Sequence, residues 1–216
     1  MGTLLLAVIY VSFISLGLPD ALLGAAWPNM YTDLKTSVSY AGIIFIIISG
    51  GTVISSLLSD RLAGFLSTGK ITALSVGITA ISLLGFSLSD SFFMLCLWAL
   101  PYGLGAGSVD AALNNYVALH YAGRHMSWLH CMWGIGATLG PYVMGQILSG
   151  GGHWTTGYRT IFVFQMILTG ILIAGLSLWK EHPSSRNRQK EKPLSLKEIL
   201  SIPGVKEVMI TFFVTA

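Results

Sequence analysis

The stretch Val38–Leu58, VSYAGIIFIIISGGTVISSLL, contains no charged side chain. A helix needs about 20 apolar residues to cross the roughly 30 Å hydrocarbon layer of a bilayer, and this stretch has that length. Its central run, IIFIIISG, does not alternate polar and apolar residues as a strand of a membrane barrel does. The stretch therefore predicts a membrane-spanning helix.

The rest of the chain has the same character. Hydrophobic residues fill 53% of the 216 positions and charged residues only 10%, whereas a soluble domain carries about 25% charged residues. The first apolar stretch lacks the basic leader of a signal peptide and is too long for one. We therefore predict an all-α membrane protein with six transmembrane helices. The other five spans are Thr3–Trp27, Ile71–Leu88, Phe92–Leu119, Met126–Leu148 and Tyr158–Trp179.

The basic residues are distributed unevenly along the chain. With the N-terminus in the cytoplasm, ten of the twelve lysines and arginines fall in inside loops. This asymmetry predicts a multi-pass protein of the cell (inner) membrane with a cytoplasmic N-terminus. The sequence divides into a six-helix bundle (1–179), a basic cytoplasmic linker with a short amphipathic helix (180–206) and the truncated start of a seventh transmembrane helix (207–216). The basic linker favours contact with anionic lipid of the bilayer.

Two acidic residues, Asp20 and Asp110, lie inside predicted spans. A charge at the middle of a span costs about 2.5–3.5 kcal/mol on insertion scales, and such residues usually face a cavity and mark a substrate or ion path. The alternative is an aspartate that only holds helices together. The two contexts, DALLG in span one and DAALN in span four, are alike. Carriers often contain three-helix units repeated with inverted topology, which predicts that spans one to three and four to six are such units.

Several polar and aromatic residues accompany the two acids. Asn114 lies one turn from Asp110 on the same face of span four, and Asn115 points about 100° away. In span one, Trp27 lies on the same stripe as Asp20, although it could also be an interfacial anchor. In span five, His130 and Trp133 are candidates for ligand binding, with packing as the alternative for both. Gly136 and Gly140 form a small-xxx-small pair, which is typical of helix packing.

The loop between spans two and three, SLLSDRLAGFLSTGKIT, resembles the cytoplasmic loop signature of the major facilitator superfamily. Asp60 and Arg61 match its Asp-Arg pair, Ser56 replaces an early glycine, and the later glycine and basic residue fall at Gly69 and Lys70. The resemblance implies a conformational-gating role for Asp60, Arg61 and Lys70. It also implies that the chain corresponds to the N-terminal half of a twelve-helix fold.

Within that superfamily, the chain resembles the fucose-permease type of sugar–proton symporters. The matching segments are PDALLGAAWP in span one, VDAALNNYV in span four and Arg124 followed by GIGA in span five. The resemblance implies alternating access, with Asp20 and Asp110 binding the coupling proton. It implies a sugar-like substrate, and a missing C-terminal six-helix half or a second copy as partner. The expected substrate-binding residues are Asn114, Asn115, His130, Trp133 and Trp27.

Two other functions stay open on the sequence. The segment from Gly136 through Gly140-Pro141 to Gly145 approximates the pattern of proton-coupled exporters in the same superfamily, with its last glycine one residue late. The second is a half-length membrane protein that serves as an assembly partner or receptor, although the end at Ala216, inside a predicted helix, favours an isolated fragment over a finished protein. Enzymatic activity, a cofactor, a metal site and nucleic-acid binding are not predicted, because the five histidines form no metal-ligand motif and no phosphate loop occurs.

Overall fold

The computed structural model describes residues 2–179 and 201–207. Its secondary structure is helical, with no strand among the described residues, which confirms the all-α prediction. Residues 2–179 contain seven α-helices, which are α1 (Gly2–Asp20), α2 (Leu22–Asp33), α3 (Ala41–Phe65), α4 (Thr68–Ser87), α5 (Phe92–His120), α6 (Arg124–Ser149) and α7 (Trp154–Ala174). Short 3₁₀ turns lie at Val38–Tyr40 and Leu176–Leu178.

The first span is two helices rather than one. α1 ends at Asp20, Ala21 lies outside helical geometry, and α2 begins at Leu22. Pro19 lies one residue before the break, and a proline has no N–H to give to the carbonyl four residues earlier, here that of Ser15. The side-chain amide of Gln165 in α7 donates to this carbonyl instead, at 2.9 Å. A polar side chain thus satisfies the backbone group that proline frees inside the membrane.

Two of the main helix pairs are related by the predicted inverted repeat, whereas the extensive packing of α4 along α5 has no equally extensive equivalent between α7 and α1. α1 packs along α6, which is span one against span five. α5 packs along α3, which is span four against span two. When spans one to three are exchanged with spans four to six, the pair of α1 and α6 becomes the pair of α5 and α3. α4 and α7, the third helix of each unit, pack against each other.

Glycines bring the backbones of both pairs into contact. A Cβ atom at Gly136 or Gly140 of α6 would collide with the carbonyl oxygens of Ile14 and Leu18 in α1. In the other pair, a Cβ at Gly103 of α5 would collide with the carbonyl of Ile48 in α3. The small-xxx-small pattern in α6 therefore marks a helix contact, as predicted.

Five spans, not six, are long and apolar enough among the described residues to cross a membrane. They are Thr3–Asp33, Val38–Ser59, Thr68–Ser87, Phe92–His120 and Trp154–Ala174. α6 has 26 residues, which is long enough to cross a membrane, but its mean hydropathy is lower than that of the five spans. It carries Arg124, His125, His130 and Gln146, and it packs along α1 within the bundle.

Polar contacts tie the helices at both ends of the bundle. At the C-terminal end of α2, one Asp33 carboxylate oxygen is 2.7 Å from Nε2 of His153 and accepts a 2.8 Å bond from the Trp154 indole N–H. At the other end, where Arg61, Lys70 and Arg124 lie, the Tyr10 hydroxyl is 2.7 Å from Nδ1 of His125. We call this second end the basic end.

Residues 181–216 form a second compact unit, of which 201–207 are described. Gly204 adopts a left-handed conformation there, with φ of 89°, and the Val205 amide donates to the carbonyl of Ile202. The linker from Lys180 to residue 200 lies outside the described residues. The same is true of 208–216, where the seventh helix was expected.

Candidate substrate and proton site

Asp20 lies at the point where α1, α5 and α6 meet. The Tyr102 hydroxyl of α5 donates to Oδ1 of Asp20 at 3.0 Å. The Trp133 indole N–H of α6 donates to Oδ2 at 2.7 Å. Each carboxylate oxygen thus has its own donor, from a different helix. Glycine-mediated contact between α1 and α6 brings the Trp133 backbone against Gly17, three residues before Asp20.

A cavity of about 180 Å³ opens beside this carboxylate. Its walls are mostly aromatic or aliphatic, and Asp20 supplies the charge. The other lining residues are Pro19, Leu23, Phe45, Ile48, Leu83, Phe86, Tyr102 and Tyr158. Phe86 stacks on Tyr158 with ring centroids 5.4 Å apart and an interplanar angle of 22°, which makes a flat apolar wall. Ligand pockets usually measure about 300–1,000 Å³, so this cavity accommodates only part of a drug-sized ligand.

Asp110 and Asn114 form a second polar pair on α5. The Asn114 amide donates to Oδ1 of Asp110 at 2.9 Å, as the one-turn spacing predicted. Among the described residues, Oδ1 of Asn114 is buried without a hydrogen-bond partner. Asp110 lies close enough to His130 for the two side chains to interact electrostatically. It is also close enough to Asp20 for the two carboxylates to repel each other.

His130 and Trp133 both lie on an exposed part of α6. Trp133 is 39% exposed although its N–H is bonded to Asp20, so one part of the ring stays open to a ligand. The His130 ring packs edge-on against Phe13 of α1, with centroids 6.2 Å apart. Asn115 is exposed on α5, turned away from the bond between Asp110 and Asn114. The structure thus brings Asp20, Asp110, Asn114, His130 and Trp133 into one region of the bundle.

Trp27 lies apart from this group. Its side chain is 5% exposed and its indole N–H donates to the carbonyl of Val38 at 2.8 Å. It does not line the cavity beside Asp20. The break at Ala21 separates the helix that ends at Asp20 from the helix that carries Trp27, so the stripe expected along span one is interrupted.

The expected gating residues lie at the basic end, away from the cavity lining. The side chain of Asp60 is outside the part of the chain that the structure describes. Arg61 is exposed near the end of α3, and Lys70 is exposed in the first turn of α4. Neither lines the cavity beside Asp20.

The sequence interpretation missed Tyr102, which supplies half of the hydrogen bonding to Asp20. Tyr102 is 3% exposed. A buried tyrosine hydroxyl usually finds a partner, and Tyr102 lies eight residues before Asp110, close to two helical turns along the same face. That spacing was a signal that could have placed the residue in the site.

Comparison with known proteins agrees with this architecture. The fold is that of an all-helical, multi-pass membrane protein. Residues 9–216 match the Major Facilitator Superfamily, and the chain belongs to that family.

Curated relatives with assigned names include two sugar transporters. The Glucose/mannose transporter GlcP of Bacillus subtilis is 25% identical over 190 residues, which are 85% of this chain and 46% of the relative. The Sodium-dependent glucose transporter 1 of Homo sapiens is 23% identical over 133 residues, 60% of this chain and 26% of the relative. The Uncharacterized MFS-type transporter YfkL of Bacillus subtilis is 23% identical over 96% of this chain and 53% of its own length. The chain thus spans about half or less of each of these relatives.

Proposed function

We propose that this chain forms the N-terminal half of a proton-coupled carrier that takes up a sugar or a similar small polar solute by alternating access. The observation that supports this most directly is the Asp20 carboxylate, held by Tyr102 and Trp133 at the edge of an aromatic cavity. Sugar rings have apolar faces that pack on aromatic rings and hydroxyls that bond to carboxylates. The names of the glucose-transporting relatives agree with this substrate class.

Protonation of Asp20 can change the binding of the solute through Tyr102. The Trp133 N–H can only donate, so a proton on Oδ2 would find no acceptor in Trp133, whereas a proton on Oδ1 can be donated to the Tyr102 oxygen. A proton taken up by Asp20 therefore lies on Oδ1, which faces Tyr102. The Tyr102 oxygen then accepts from the acid and its own hydrogen turns away, towards the cavity that Tyr102 lines. Proton uptake thereby provides the cavity with a donor for a solute hydroxyl.

The second polar pair, Asp110 and Asn114, has a supporting role in this proposal. Asp110 and Asp20 repel each other when both are charged, so the proton bound by one influences the other. Asn114 holds Asp110 through its hydrogen bond, and Asn114 and His130 offer hydrogen bonds to solute hydroxyls. The Trp133 ring covers an apolar face of the solute, and Asn115 contributes from the exposed side of α5.

The proposed partner is a second six-helix half, either a C-terminal segment or a second copy of this chain. The size of the cavity supports this partner, since a cavity of about 180 Å³ is only part of a ligand site and the opposing half would complete it. We place the carrier in the cell (inner) membrane with the basic end in the cytoplasm. Mass measurement of the purified chain in detergent distinguishes a single copy from a pair.

The decisive experiment is a thermal-shift screen of the chain together with its opposing half, which completes the site, with sugars at several pH values. A ligand that binds the folded state stabilises it, and the stabilisation grows with the logarithm of the ligand concentration over Kd. We expect a sugar to stabilise the chain more at pH 5.5 than at pH 8, and the Asp20→Asn variant to lose this difference. If no sugar gives a shift at any pH, the proposed substrate class is wrong.

A proton-coupled exporter of hydrophobic cations is the second candidate. A carboxylate beside Phe45, Phe86, Tyr102 and Tyr158 also suits an organic cation, through charge pairing and cation–π contact. The same screen with hydrophobic cations separates the two. Stabilisation by cations, without any by sugars, favours the exporter.

A further inference from the structure

A second concave feature lies between α4 and α7, near the basic end. It is an apolar groove of about 340 Å³. Ala73 and Gly77 form its floor, because their small side chains leave room between the two helices. At Gly77, an added Cβ would meet only the Thr169 methyl, at 3.4 Å. Aliphatic side chains make most of the walls, and among the described residues of the lining Lys70 is the one that carries a charge.

The groove has the length of one leaflet. Its lining on α4 runs from Lys70 to Ile81, and eleven residues at 1.5 Å each give about 16 Å. The hydrocarbon core of a bilayer is about 30 Å thick, so one leaflet occupies about 15 Å. Lys70 lies two residues after the start of α4, where the chain enters the span. The groove therefore starts at the headgroup level and ends near the midplane.

The two ends of the groove differ in chemistry. At its mouth, the Lys70 ammonium stands in the first turn of α4, and the Ser67 side chain makes no capping bond there. The positive end of the helix dipole adds to the lysine charge, so this mouth attracts an anion. Deeper in the groove, the hydroxyl of Thr169 is already bonded to the carbonyl of Gln165 at 2.8 Å. The inner part thus offers its occupant apolar contacts only.

We propose that this groove is a binding site for an anionic glycerophospholipid, with the phosphate at Lys70 and one acyl chain along Ala73, Gly77 and Ile81. A charged head, an apolar tail and a length of one leaflet together match this occupant. A peptide or a polar solute would leave hydrogen-bonding groups unpaired against the aliphatic walls.

The bound lipid has a structural consequence for α4 and α7. Thr79 of α4 donates to Oε1 of Gln165 in α7 at 2.9 Å, on the inner side of the same helix pair. An acyl chain in the groove fills the outer side. The lipid therefore stabilises the contact between these two helices, independently of transport.

The test uses the purified chain, delipidated in neutral detergent and titrated with dioleoyl phosphatidylglycerol or dioleoyl phosphatidylcholine. We expect phosphatidylglycerol to raise the melting temperature by several degrees and to remain bound in native mass spectrometry, at least fivefold above phosphatidylcholine. Lys70→Gln should remove this preference. Gly77→Leu, which places a side chain in the groove, should remove binding of both lipids.

Two matched variants control for general effects. Gly170→Leu adds the same side chain at an open, exposed position of α7 outside the groove. Arg124→Gln removes an exposed charge from the same end of the bundle. Both should retain the preference for phosphatidylglycerol. Equal binding of the two lipids by the wild-type chain, or an unchanged preference in Lys70→Gln, would overturn the proposal even if Gly77→Leu failed to fold.

Discussion

The hydroxyl of Tyr102 donates to Oδ1 of Asp20 over 3.0 Å, from the fourth span to the first. These are equivalent helices of the two inverted three-helix units. The bond therefore connects the two units at the one acidic residue that lines the cavity. Four predictions follow from this contact and from the packing around it.

Replacing Asp20 by asparagine should abolish proton-driven uptake in the complete carrier. The amide keeps the shape of the side chain but cannot take up a proton, so we expect at least a tenfold loss of pH-gradient-driven uptake. Solute exchange without a gradient should persist. Asp90→Asn is the control, since Asp90 is an exposed residue between α4 and α5. Undiminished gradient-driven uptake in both Asp20→Asn and Asp110→Asn would contradict the proton-coupling role.

Replacing Tyr102 by phenylalanine should separate proton binding from solute binding. Without the hydroxyl, protonation of Asp20 no longer provides the cavity with a donor. Solute affinity at low pH should fall about five- to tenfold, which corresponds to the ~1–1.5 kcal/mol of one hydrogen bond. Affinity at high pH should change little. Isothermal titration at pH 5.5 and 8 measures both. Tyr158→Phe keeps the same cavity wall and serves as the control; an equal loss at both pH values in Tyr102→Phe would argue against the switch.

Replacing Gln165 by leucine should destabilise the bundle through the backbone of α1. The change leaves the Ser15 carbonyl, freed by Pro19, buried without its donor. We expect a loss of about 1–3 kcal/mol in the free energy of unfolding. Thermal or denaturant unfolding in detergent gives this value.

A second variant isolates the proline effect. Pro19→Ala restores an N–H that can bond to the Ser15 carbonyl, so it should cost less in the Gln165→Leu background than in the wild-type chain. Such non-additivity is what a double-mutant cycle measures for coupled groups. Strictly additive costs would show that Gln165 does not compensate for Pro19.

Replacing Gly140 by alanine should push α6 away from α1 and destabilise the bundle. The added methyl group meets the carbonyl oxygen of Leu18, a backbone atom that cannot move aside as a side chain can. Overpacking of this kind costs about 1–3 kcal/mol. Gly145→Ala is the matched control, because Gly145 lies on the same helix with open space around it. Equal melting temperatures for the two variants would contradict backbone contact at Gly140.

The sequence predicted the features that depend on composition and spacing. Uninterrupted apolar runs located the spans, the small-xxx-small pattern in α6 located a helix contact, and the energetic cost of buried charge drew attention to Asp20. The one-turn spacing of Asp110 and Asn114 predicted their hydrogen bond. Each of these depends on residues near one another along the chain.

Partners from distant helices could not be predicted in this way. Helical periodicity tells which residues share a face but not which helix meets that face. The bonds from Tyr102 to Asp20 and from Gln165 to Ser15 join residues 82 and 150 positions apart. The distance of Trp27 from the cavity beside Asp20 has a local cause, since a break of one residue at Ala21 interrupts the periodicity along span one.

The glycine contacts also restrict how this half of the protein can deform. Where two backbones touch without intervening side chains, as at Gly140 with Leu18 and at Gly103 with Ile48, no rotamer change can absorb a displacement. Each of the two helix pairs must then shift as a single stiff body. Widening of the aromatic cavity between α1 and α5 then requires one pair to slide past the other. Such a movement lengthens the hydrogen bond between Asp20 and Tyr102, which belong to different pairs.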